Sequence, residues 1–117
     1  MKKIYHLSSC STCKRIIGEL GDGAGFELQN IKEEPLTAEQ LEEMWAKVGS
    51  YEALFSRRAM KFRARGLHER QLSETDYRDL ILEEYTFLKR PVIFIDDEIF
   101  VGNSKKVVAA AVAKLSA

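Results

Sequence analysis

The spacing of apolar positions at the start of the chain predicts a strand, a helix and a second strand. Residues 4–7 form a short run of strand-forming residues. Apolar residues then recur with the spacing of one helix face, at Cys13, Ile16, Ile17 and Leu20. Residues 26–31 alternate between polar and apolar, as a half-buried strand does. A β-α-β unit of this kind favours a parallel strand pair joined by a right-handed crossover.

The middle of the chain predicts a helical stretch. Thr37 and Gln40 have the spacing of a helix-capping box, and Ser73 begins a second helix cap. Each cap is followed by apolar residues at helical spacing. After the first cap these residues are Leu41, Met44, Trp45 and Val48. After the second cap they are Tyr77, Leu80, Ile81, Tyr85 and Leu88. Trp45 is therefore predicted to be a core residue.

The last third of the chain predicts a hairpin and a final helix. Residues 92–95 are a continuous apolar run, which is typical of a strand buried on both faces. Residues 96–98 form a polar turn, and residues 99–101 return as the partner strand. A helix follows the cap at residues 102–104. Taken with the first unit, this pattern predicts an α/β fold with a mixed sheet of about four strands covered by helices.

Length and composition then exclude several classes of protein. The 117 residues suit one compact domain, and 18 Lys and Arg balance 18 Asp and Glu, which argues against a basic protein that binds nucleic acid directly. Two cysteines are too few for a disulfide scaffold or a four-thiolate zinc site, so neither a metal nor a bound cofactor is expected. No apolar run approaches the roughly 18 residues of a membrane span. The start lacks the apolar stretch of a signal peptide, so the expected location is cytoplasmic.

Cys10 and Cys13 are the main chemical signal in the sequence. They lie where the first strand gives way to the first helix, and a spacing of three places both on one helix face. The partial positive charge and the N–H groups of a helix N-terminus favour the Cys10 thiolate, which is the nucleophilic form. Cys13 is close enough to attack a Cys10 adduct and form a disulfide. Two small, buried, inert cysteines are the alternative interpretation.

The same region of the chain has residue types that bind anions. Ser11 and Thr12 supply hydroxyls beside the backbone N–H groups of the turn. Residues 57–70 contain six Arg or Lys and one acidic residue, and Arg suits bidentate recognition of an oxyanion, although a solvated helix face would look the same. Arg90 precedes Pro91 at the start of a strand. A cis bond there would aim Arg90 at the Cys10 turn, whereas a trans bond would be an ordinary strand start.

These motifs, in this order and spacing, resemble the arsenate reductase (ArsC) and Spx family over nearly the whole chain. The resemblance rests on residues 3–5 leading into residues 9–14, on residues 55–67 and on residues 89–93. It implies a thioredoxin-like (glutaredoxin-like) fold that forms a single domain over residues 1–117. In that fold, a helical insertion at about residues 37–88 precedes a strand that starts at a cis-proline.

The resemblance also implies roles for individual residues. In the arsenate reductases of this family, the cysteine that matches Cys10 attacks arsenate, arginines surround the oxyanion, and glutathione with glutaredoxin completes reduction to arsenite. Carried across, Cys10 is the nucleophile, Arg90 is an oxyanion ligand, and the arginine of the insertion falls at Arg57 or Arg58. The residues expected to bind substrate are therefore Ser11, Thr12, Arg57, Arg58 and Pro91.

Two departures separate the chain from the best-known members. Many glutaredoxin-dependent reductases have no cysteine that matches Cys13, and the pair is more similar to that of Spx, a regulator whose cysteines act as a redox switch on RNA polymerase. A further arginine of those reductases falls near Gly102, which offers no cation. The predicted function is a thiol-dependent reductase of arsenate or a related oxyanion, with Cys13 resolving the adduct and glutathione, glutaredoxin or thioredoxin as electron donor. The alternatives are an Spx-like regulator that binds RNA polymerase and a general thiol–disulfide oxidoreductase.

Overall fold

The alternation of apolar strands and amphipathic helices in the sequence corresponds to a mixed α/β structure. The computed structural model of the chain describes residues 1–116. The strands within these residues are β1 (Lys2–His6), β2 (Glu27–Asn30), β3 (Val92–Ile95) and β4 (Glu98–Val101). The α-helices are α1 (Ser11–Glu19), α2 (Ala38–Val48), α3 (Met60–Ala64), α4 (Glu74–Glu83) and α5 (Lys105–Ser116). Short 3₁₀ turns occur at Gly21–Gly23, Glu52–Leu54, Leu67–Glu69 and Tyr85–Phe87.

The chain divides into two compact units, which we call the sheet unit and the helical unit. The sheet unit contains Met1–Pro35 and the chain from Arg90 onward. The helical unit is Leu36–Lys89, a continuous stretch between the two parts of the sheet unit. The sequence prediction placed the helical insertion at about residues 37–88, and its assignment of residues 1–117 to one domain stays a prediction.

The four strands form one sheet in the order β2-β1-β3-β4. Strands β1 and β2 are parallel, with Ile4 opposite Leu28, and α1 lies between them in the chain. Strand β3 is antiparallel to both β1 and β4, and Ile93 lies opposite Ile4 on one side and Phe100 on the other. The predicted mixed sheet of four strands is therefore confirmed. The hairpin turn between β3 and β4 is also confirmed, and Asp96 adopts a left-handed backbone conformation there with φ 57°, which Asp tolerates.

The core of the sheet unit lies against one face of this sheet. Its buried members come from β1 and β3, from α1 and from α5, and they are Ile4, Ile93, Ile95, Ile16, Leu20, Val108 and Ala111. All four residues of β3 are buried, as the continuous apolar run predicts. Each fully buried aliphatic side chain contributes about 1.5–3 kcal/mol relative to exposure, so this cluster holds α1 and α5 against the strands.

The helices of the helical unit begin at the two predicted caps. Thr37 Oγ1 accepts from the Gln40 N–H at 3.1 Å, and Gln40 Oε1 accepts from the Thr37 N–H at 3.1 Å. Ser73 and Asp76 make the same reciprocal pair at the start of α4, at 3.1 and 2.9 Å. Such a cap contributes about 1 kcal/mol because it satisfies N–H groups that the first helical turn leaves without partners.

The core of the helical unit is centred on Phe55, which is fully buried. Its ring packs edge-on against Phe62 and Tyr77, with centroid separations of 5.8 and 4.9 Å, and stacks on Phe87 at 5.0 Å. Aromatic pairs of this geometry add about 0.5–1.5 kcal/mol each beyond the burial of apolar area. One aromatic side chain thus joins the segments before α3, within α3, in α4 and after α4.

Two predictions for the helical unit are wrong. Trp45 is not a core residue, because it is 43% exposed and its ring stacks on Tyr51 at 5.9 Å, while Leu41 and Met44 supply the buried face of α2. Helix α4 ends at Glu83, so residues 85 and 88 do not share its apolar face. The Glu84 carboxylate accepts hydrogen bonds from the N–H and the hydroxyl of Thr86. These bonds cap a separate 3₁₀ turn at Tyr85–Phe87, so α4 does not continue through it.

No helix among residues 1–116 combines the length and the apolar composition that crossing a membrane requires.

Candidate active site

The Cys10 thiol lies at the junction between β1 and α1. Strand β1 ends at His6, and a tight turn follows in which the Cys10 N–H donates to the Leu7 carbonyl at 3.0 Å. Cys10 is the N-cap residue of α1, with extended φ −90° and ψ 112°, and its carbonyl accepts from the Lys14 N–H at 3.1 Å. The side chain is half-buried. The nucleophile predicted from the sequence therefore occupies the position where a helix presents N–H groups without partners.

The surroundings of Cys10 favour its thiolate. Burial raises the pKa of the Cys10 thiol, but the backbone N–H and the thiol of Cys13, the Thr12 N–H and the positive charge of Arg90 together outweigh burial and lower it. Cys10 makes no side-chain capping hydrogen bond of the usual oxygen type. Once ionised, the Cys10 sulfur can accept hydrogen bonds from the N–H groups of the first turn of α1, which is the role that a side-chain oxygen has at an ordinary N-cap.

Cys13 has the opposite character, although it lies only one helical turn away. Its side chain is fully buried. Burial raises the pKa of the Cys13 thiol to about 11; the Leu7 backbone opposes this, the Cys10 sulfur adds to it, and the Arg90 charge opposes it weakly. Both cysteines are free thiols. Cys13 is thus a protonated thiol that helps to lower the pKa of Cys10. Cys10 is not fully buried, and the choice between a reactive and an inert cysteine pair stays a prediction.

Arg90 and Pro91 stand at the start of β3 in the same unit. The bond between them is cis, which resolves the choice that the sequence left open. Pro91 is buried, and its carbonyl accepts from the Gly102 N–H at 2.9 Å, which joins it to the end of β4. Arg90 is half-buried, and its charge acts on both cysteines. The structure therefore brings Cys10, Cys13 and Arg90 into one electrostatic environment.

Ser11 and Thr12 are the first two residues of α1. Ser11 is exposed and Thr12 is half-buried, and the Thr12 contribution to the Cys10 environment comes from its backbone N–H. Their predicted role as substrate ligands through the hydroxyl groups stays a prediction.

Arg57 and Arg58 belong to the helical unit, and both are exposed. The Arg57 guanidinium donates to the Glu52 carboxylate and, at 2.9 Å, to the Tyr77 hydroxyl. The hydrogen bond to Glu52 raises the pKa of Arg57, with burial opposing this and Tyr77 adding to it. The Arg57 guanidinium is therefore engaged in hydrogen bonds to residues of its own unit. Which of the two arginines serves an oxyanion stays a prediction from the family resemblance.

Three of the six cations in residues 57–70 form ion pairs with acidic residues from elsewhere in the helical unit. Besides the Arg57 pair, Lys61 binds Glu84 at 2.6 Å and Arg65 binds Glu83 at 2.9 Å. The interpretation as a solvated, ion-paired helix surface therefore fits these three residues.

Among residues 1–116, no group of three or more His, Cys, Asp or Glu side chains is arranged to hold a metal ion.

Sequence reasoning did not identify Leu7 as part of the site. Its carbonyl fixes the Cys10 N–H and its backbone interacts with the Cys13 thiol. Backbone groups carry no residue-specific pattern, so the available signal was positional: Leu7 is the last apolar residue before the turn.

Comparison with known proteins places this site in a family context. The chain matches the ArsC family over residues 5–111. Its structure is similar to that of the YffB protein, with TM-score 0.80, 23% identity, and coverage of 96% of this chain and 99% of that one. It is also similar to the arsenate reductase from Vibrio cholerae, with TM-score 0.74, 21% identity, and coverage of 93% and 95%.

A third similar structure is an arsenate reductase (ArsC) related protein from Brucella melitensis, with TM-score 0.71, 27% identity, and coverage of 93% of this chain and 92% of that one. No curated protein sequence matches the chain. The structural likenesses confirm the predicted thioredoxin-like fold. Since the family match spans most of its length, the chain belongs to the ArsC family.

Proposed function

We propose that this ArsC-family chain is a thiol-dependent reductase in which the Cys10 thiolate is the nucleophile and Cys13 resolves its adduct. The observation that carries the proposal is the contrast between the two thiols. The pKa of Cys10 is lowered at the helix N-terminus, whereas that of Cys13 is raised by burial to about 11. The Cys10 thiol ionises more readily than an ordinary cysteine and is the attacking group, and the protonated Cys13 thiol lies beside it to resolve the adduct.

The first step is attack on an oxyanion, and arsenate is the substrate that the family suggests. The Cys10 sulfur forms a bond to As(V), and one arsenate oxygen leaves as water after it is protonated. The Arg90 charge and the N–H groups at the start of α1 offset the negative charge of the arsenate. Ser11, Thr12, Pro91 and one of Arg57 and Arg58 are the further substrate ligands that the family resemblance proposes.

The second step is reduction. The Cys13 sulfur attacks the Cys10 sulfur, an S–S bond forms and the S–As bond breaks. The electron pair of that bond stays on arsenic, which becomes As(III) and leaves as arsenite, and the Cys13 proton passes to a departing arsenite oxygen. Two thiols are thereby oxidised to one disulfide. Because Cys13 is fully buried, a reducing thiol must attack the disulfide at Cys10.

The electron donor is the second part of the proposal. Glutaredoxin with glutathione, or thioredoxin, would restore both thiols in the cytoplasm, where such donors keep proteins reduced. A monothiol route is open as well, in which glutathione attacks the Cys10 adduct before Cys13 does. The two routes differ in whether turnover needs Cys13.

The test is arsenate reduction with glutathione and glutaredoxin in one series and thioredoxin in another, with arsenite measured as the product. We expect wild-type turnover with at least one donor and loss of turnover in Cys10→Ser. Cys13→Ser is the matched variant, because it keeps Cys10 and removes only the resolving thiol. No arsenite from the wild type with any donor would overturn arsenate as the substrate, and turnover retained in Cys10→Ser would overturn the nucleophile.

A second candidate is favoured by Cys13 itself, because a buried thiol beside a thiolate can close a disulfide without any substrate. In that case the pair senses oxidants and changes binding to RNA polymerase, as in Spx. Recovery of polymerase subunits by the reduced and the oxidised chain tests this candidate. Recovery that is equal in the two states, or absent from both, would exclude it. A general thiol–disulfide oxidoreductase would instead be recognised by a Cys10–Cys13 reduction potential within the thioredoxin–glutaredoxin range.

A further inference from the structure

We propose that Asn30 is a positioning residue for Cys10, because its side chain clamps the turn that sets the Cys10 sulfur against the first turn of α1. The inference builds on the proposed function of Cys10 and assigns to Asn30 no contact with substrate. It concerns a residue at the end of β2, a strand that carries none of the residues predicted for the site.

Asn30 reaches the Cys10 turn from the neighbouring strand. It lies opposite His6 in the parallel pairing of β1 and β2, and the Ile31 N–H donates to the His6 carbonyl at 3.0 Å just beyond the strand. The Asn30 Nδ2 donates to the Ser8 Oγ at 2.8 Å. The carboxyl end of β2 is therefore joined to the turn by a side chain as well as by the sheet.

The orientation of the Asn30 amide is fixed at both ends. Its Oδ1 accepts from the Lys32 N–H at 3.3 Å. A backbone N–H can only donate, so the oxygen of the amide must face Lys32 and the nitrogen must face Ser8. The Asn30 carbonyl in turn accepts from the N–H groups of Glu33 and Glu34, at 3.1 and 2.8 Å. The loop after β2 therefore holds in place the Asn30 side-chain amide that binds Ser8.

Ser8 belongs to the turn that connects β1 to Cys10. The turn runs from Leu7 to Cys10 and is closed by the Cys10 N–H donating to the Leu7 carbonyl. Ser8 and Ser9 are its two central residues, and both are exposed. Exposed small polar residues in a turn are held by few contacts, so one hydrogen bond at a corner is a large share of what fixes the path of the chain.

The position of the Cys10 sulfur decides how well the helix stabilises it. The interactions with the N–H groups of Thr12 and Cys13 weaken steeply as their alignment with an acceptor is lost. A turn freed at Ser8 lets the Cys10 backbone sample orientations away from those N–H groups. Loss of the clamp should therefore lower the fraction of thiolate at a given pH while leaving the fold in place.

The experiment measures the rate at which iodoacetamide alkylates Cys10 between pH 5 and pH 10, read from fragment masses that assign the added group to Cys10 and not to Cys13 in the peptide that contains both. In Asn30→Ala we expect a rate about threefold to tenfold lower than wild type near pH 6 and a titration midpoint at higher pH, which is the size of effect that one hydrogen bond can exert. At high pH, where every variant is ionised, the rates should converge.

Ser8 supplies the matched variants. Ser8→Ala removes the same hydrogen bond from the other side and should reproduce the Asn30→Ala profile, whereas Ser8→Thr keeps a hydroxyl acceptor and should resemble wild type. The double variant Asn30→Ala/Ser8→Ala should titrate like the single variants, because both remove one interaction. Ser73→Ala, which removes a cap in the helical unit, controls for a small loss of stability.

The proposal is overturned if Asn30→Ala keeps the wild-type midpoint while circular dichroism shows it folded, or if the two single effects add in the double variant. Alkylation needs no oxyanion and no electron donor. If the wild type fails to reduce arsenate, the proposed substrate is refuted, but the alkylation profiles still test the role of Asn30. If the alkylation midpoint of Asn30→Ala is unchanged, only the role of Asn30 is refuted.

Discussion

In the sheet unit the charge of Arg90 acts on a thiol that can ionise, whereas in the helical unit Arg57, Lys61 and Arg65 form ion pairs with Glu52, Glu84 and Glu83. The first arrangement changes the chemistry of its partner, because it shifts the balance between thiol and thiolate. The second joins segments of the helical unit through ion pairs. A cluster of cations in a sequence is therefore as consistent with structural ion pairs as with a reactive site.

The two units also differ in how their cores are built. The core of the sheet unit is spread over aliphatic residues from two strands and two helices, whereas that of the helical unit converges on the ring of Phe55. A substitution at one position should consequently do more damage in the helical unit. The predictions below test these contrasts.

The largest effect is expected from Phe55→Ala, which should lower the free energy of unfolding by about 3–5 kcal/mol. The reason is that the cavity would lie among Phe62, Tyr77 and Phe87, none of which can follow the lost ring without leaving its own contacts. Urea denaturation measures the loss. Ile16→Ala in the sheet unit is the counterpart, and its cost should lie at the lower end of the range of about 2–5 kcal/mol for this truncation, because residues from two strands and two helices surround the cavity. Equal losses at the two positions would refute the contrast between the cores.

The next effect is expected at Arg90. Arg90→Ala should slow alkylation of Cys10 near pH 6 by about twofold to threefold, because one of several interactions that lower the pKa of the Cys10 thiol, and the weakest of those named, is gone. Arsenate reduction should fall by a larger factor of about 10²–10³ if Arg90 also binds the oxyanion. Arg90→Lys keeps the charge and is the control for alkylation. An alkylation profile that does not change in Arg90→Ala would remove Arg90 from the account of the thiolate.

A smaller effect is expected from the helix caps. Ser73→Ala should lower the free energy of unfolding by about 1 kcal/mol, because the Asp76 N–H loses its acceptor and the reciprocal pair is broken. Ser104 is the counterpart in the sheet unit, where its Oγ accepts from the Val107 N–H at 3.2 Å. Ser104→Ala should cost no more than Ser73→Ala, and a clearly larger cost would show that the start of α5 depends on more than this bond. Thermal and urea denaturation of both variants give the comparison.

The smallest effect is expected for the Lys61–Glu84 pair and depends on pH. The hydrogen bond from Lys61 lowers the pKa of the Glu84 carboxyl, burial opposes this, and Thr86 adds to the lowering. A carboxyl whose pKa is lower in the folded state stabilises the fold above its unfolded pKa of about 4.3, and this contribution is lost as pH falls through the folded value. Lys61 is 59% exposed, so solvent screening limits the contribution to about 1 kcal/mol or less.

Urea denaturation of Glu84→Gln and wild type at pH 7 and at pH 3 tests this sign. The variant should be less stable at pH 7, and the difference should shrink toward pH 3 as the wild-type carboxyl takes up a proton. Glu83→Gln is the control, because the Glu83 carboxylate is 59% exposed and its pair with Arg65 should contribute less. A difference that grows on acidification would contradict the assignment.

Periodicity predicted most of the elements because it reports which positions avoid water. Strand β3 and the caps at Thr37 and Ser73 were predicted correctly, since each depends on neighbours within a few residues. Trp45 was misassigned because it stands at the margin of the apolar face of α2, and only the packed unit shows that Leu41 and Met44 fill the core. The end of α4 was misplaced because the Glu84 carboxylate competes for the Thr86 N–H, which apolar spacing does not reveal.

The sequence by itself determined that the chain has two thiols at a strand-to-helix junction, an arginine before the proline that opens a strand, and the motif order of the ArsC family. These features lie in short segments whose chemistry depends on residue type and spacing. The tertiary structure alone decided that Cys13 is buried and protonated, that the Arg90–Pro91 bond is cis, and that Arg57, Lys61 and Arg65 are ion-paired. Each of these depends on what the fold brings next to a side chain or a bond, and residues distant in the chain become neighbours only when the strands and helices pack.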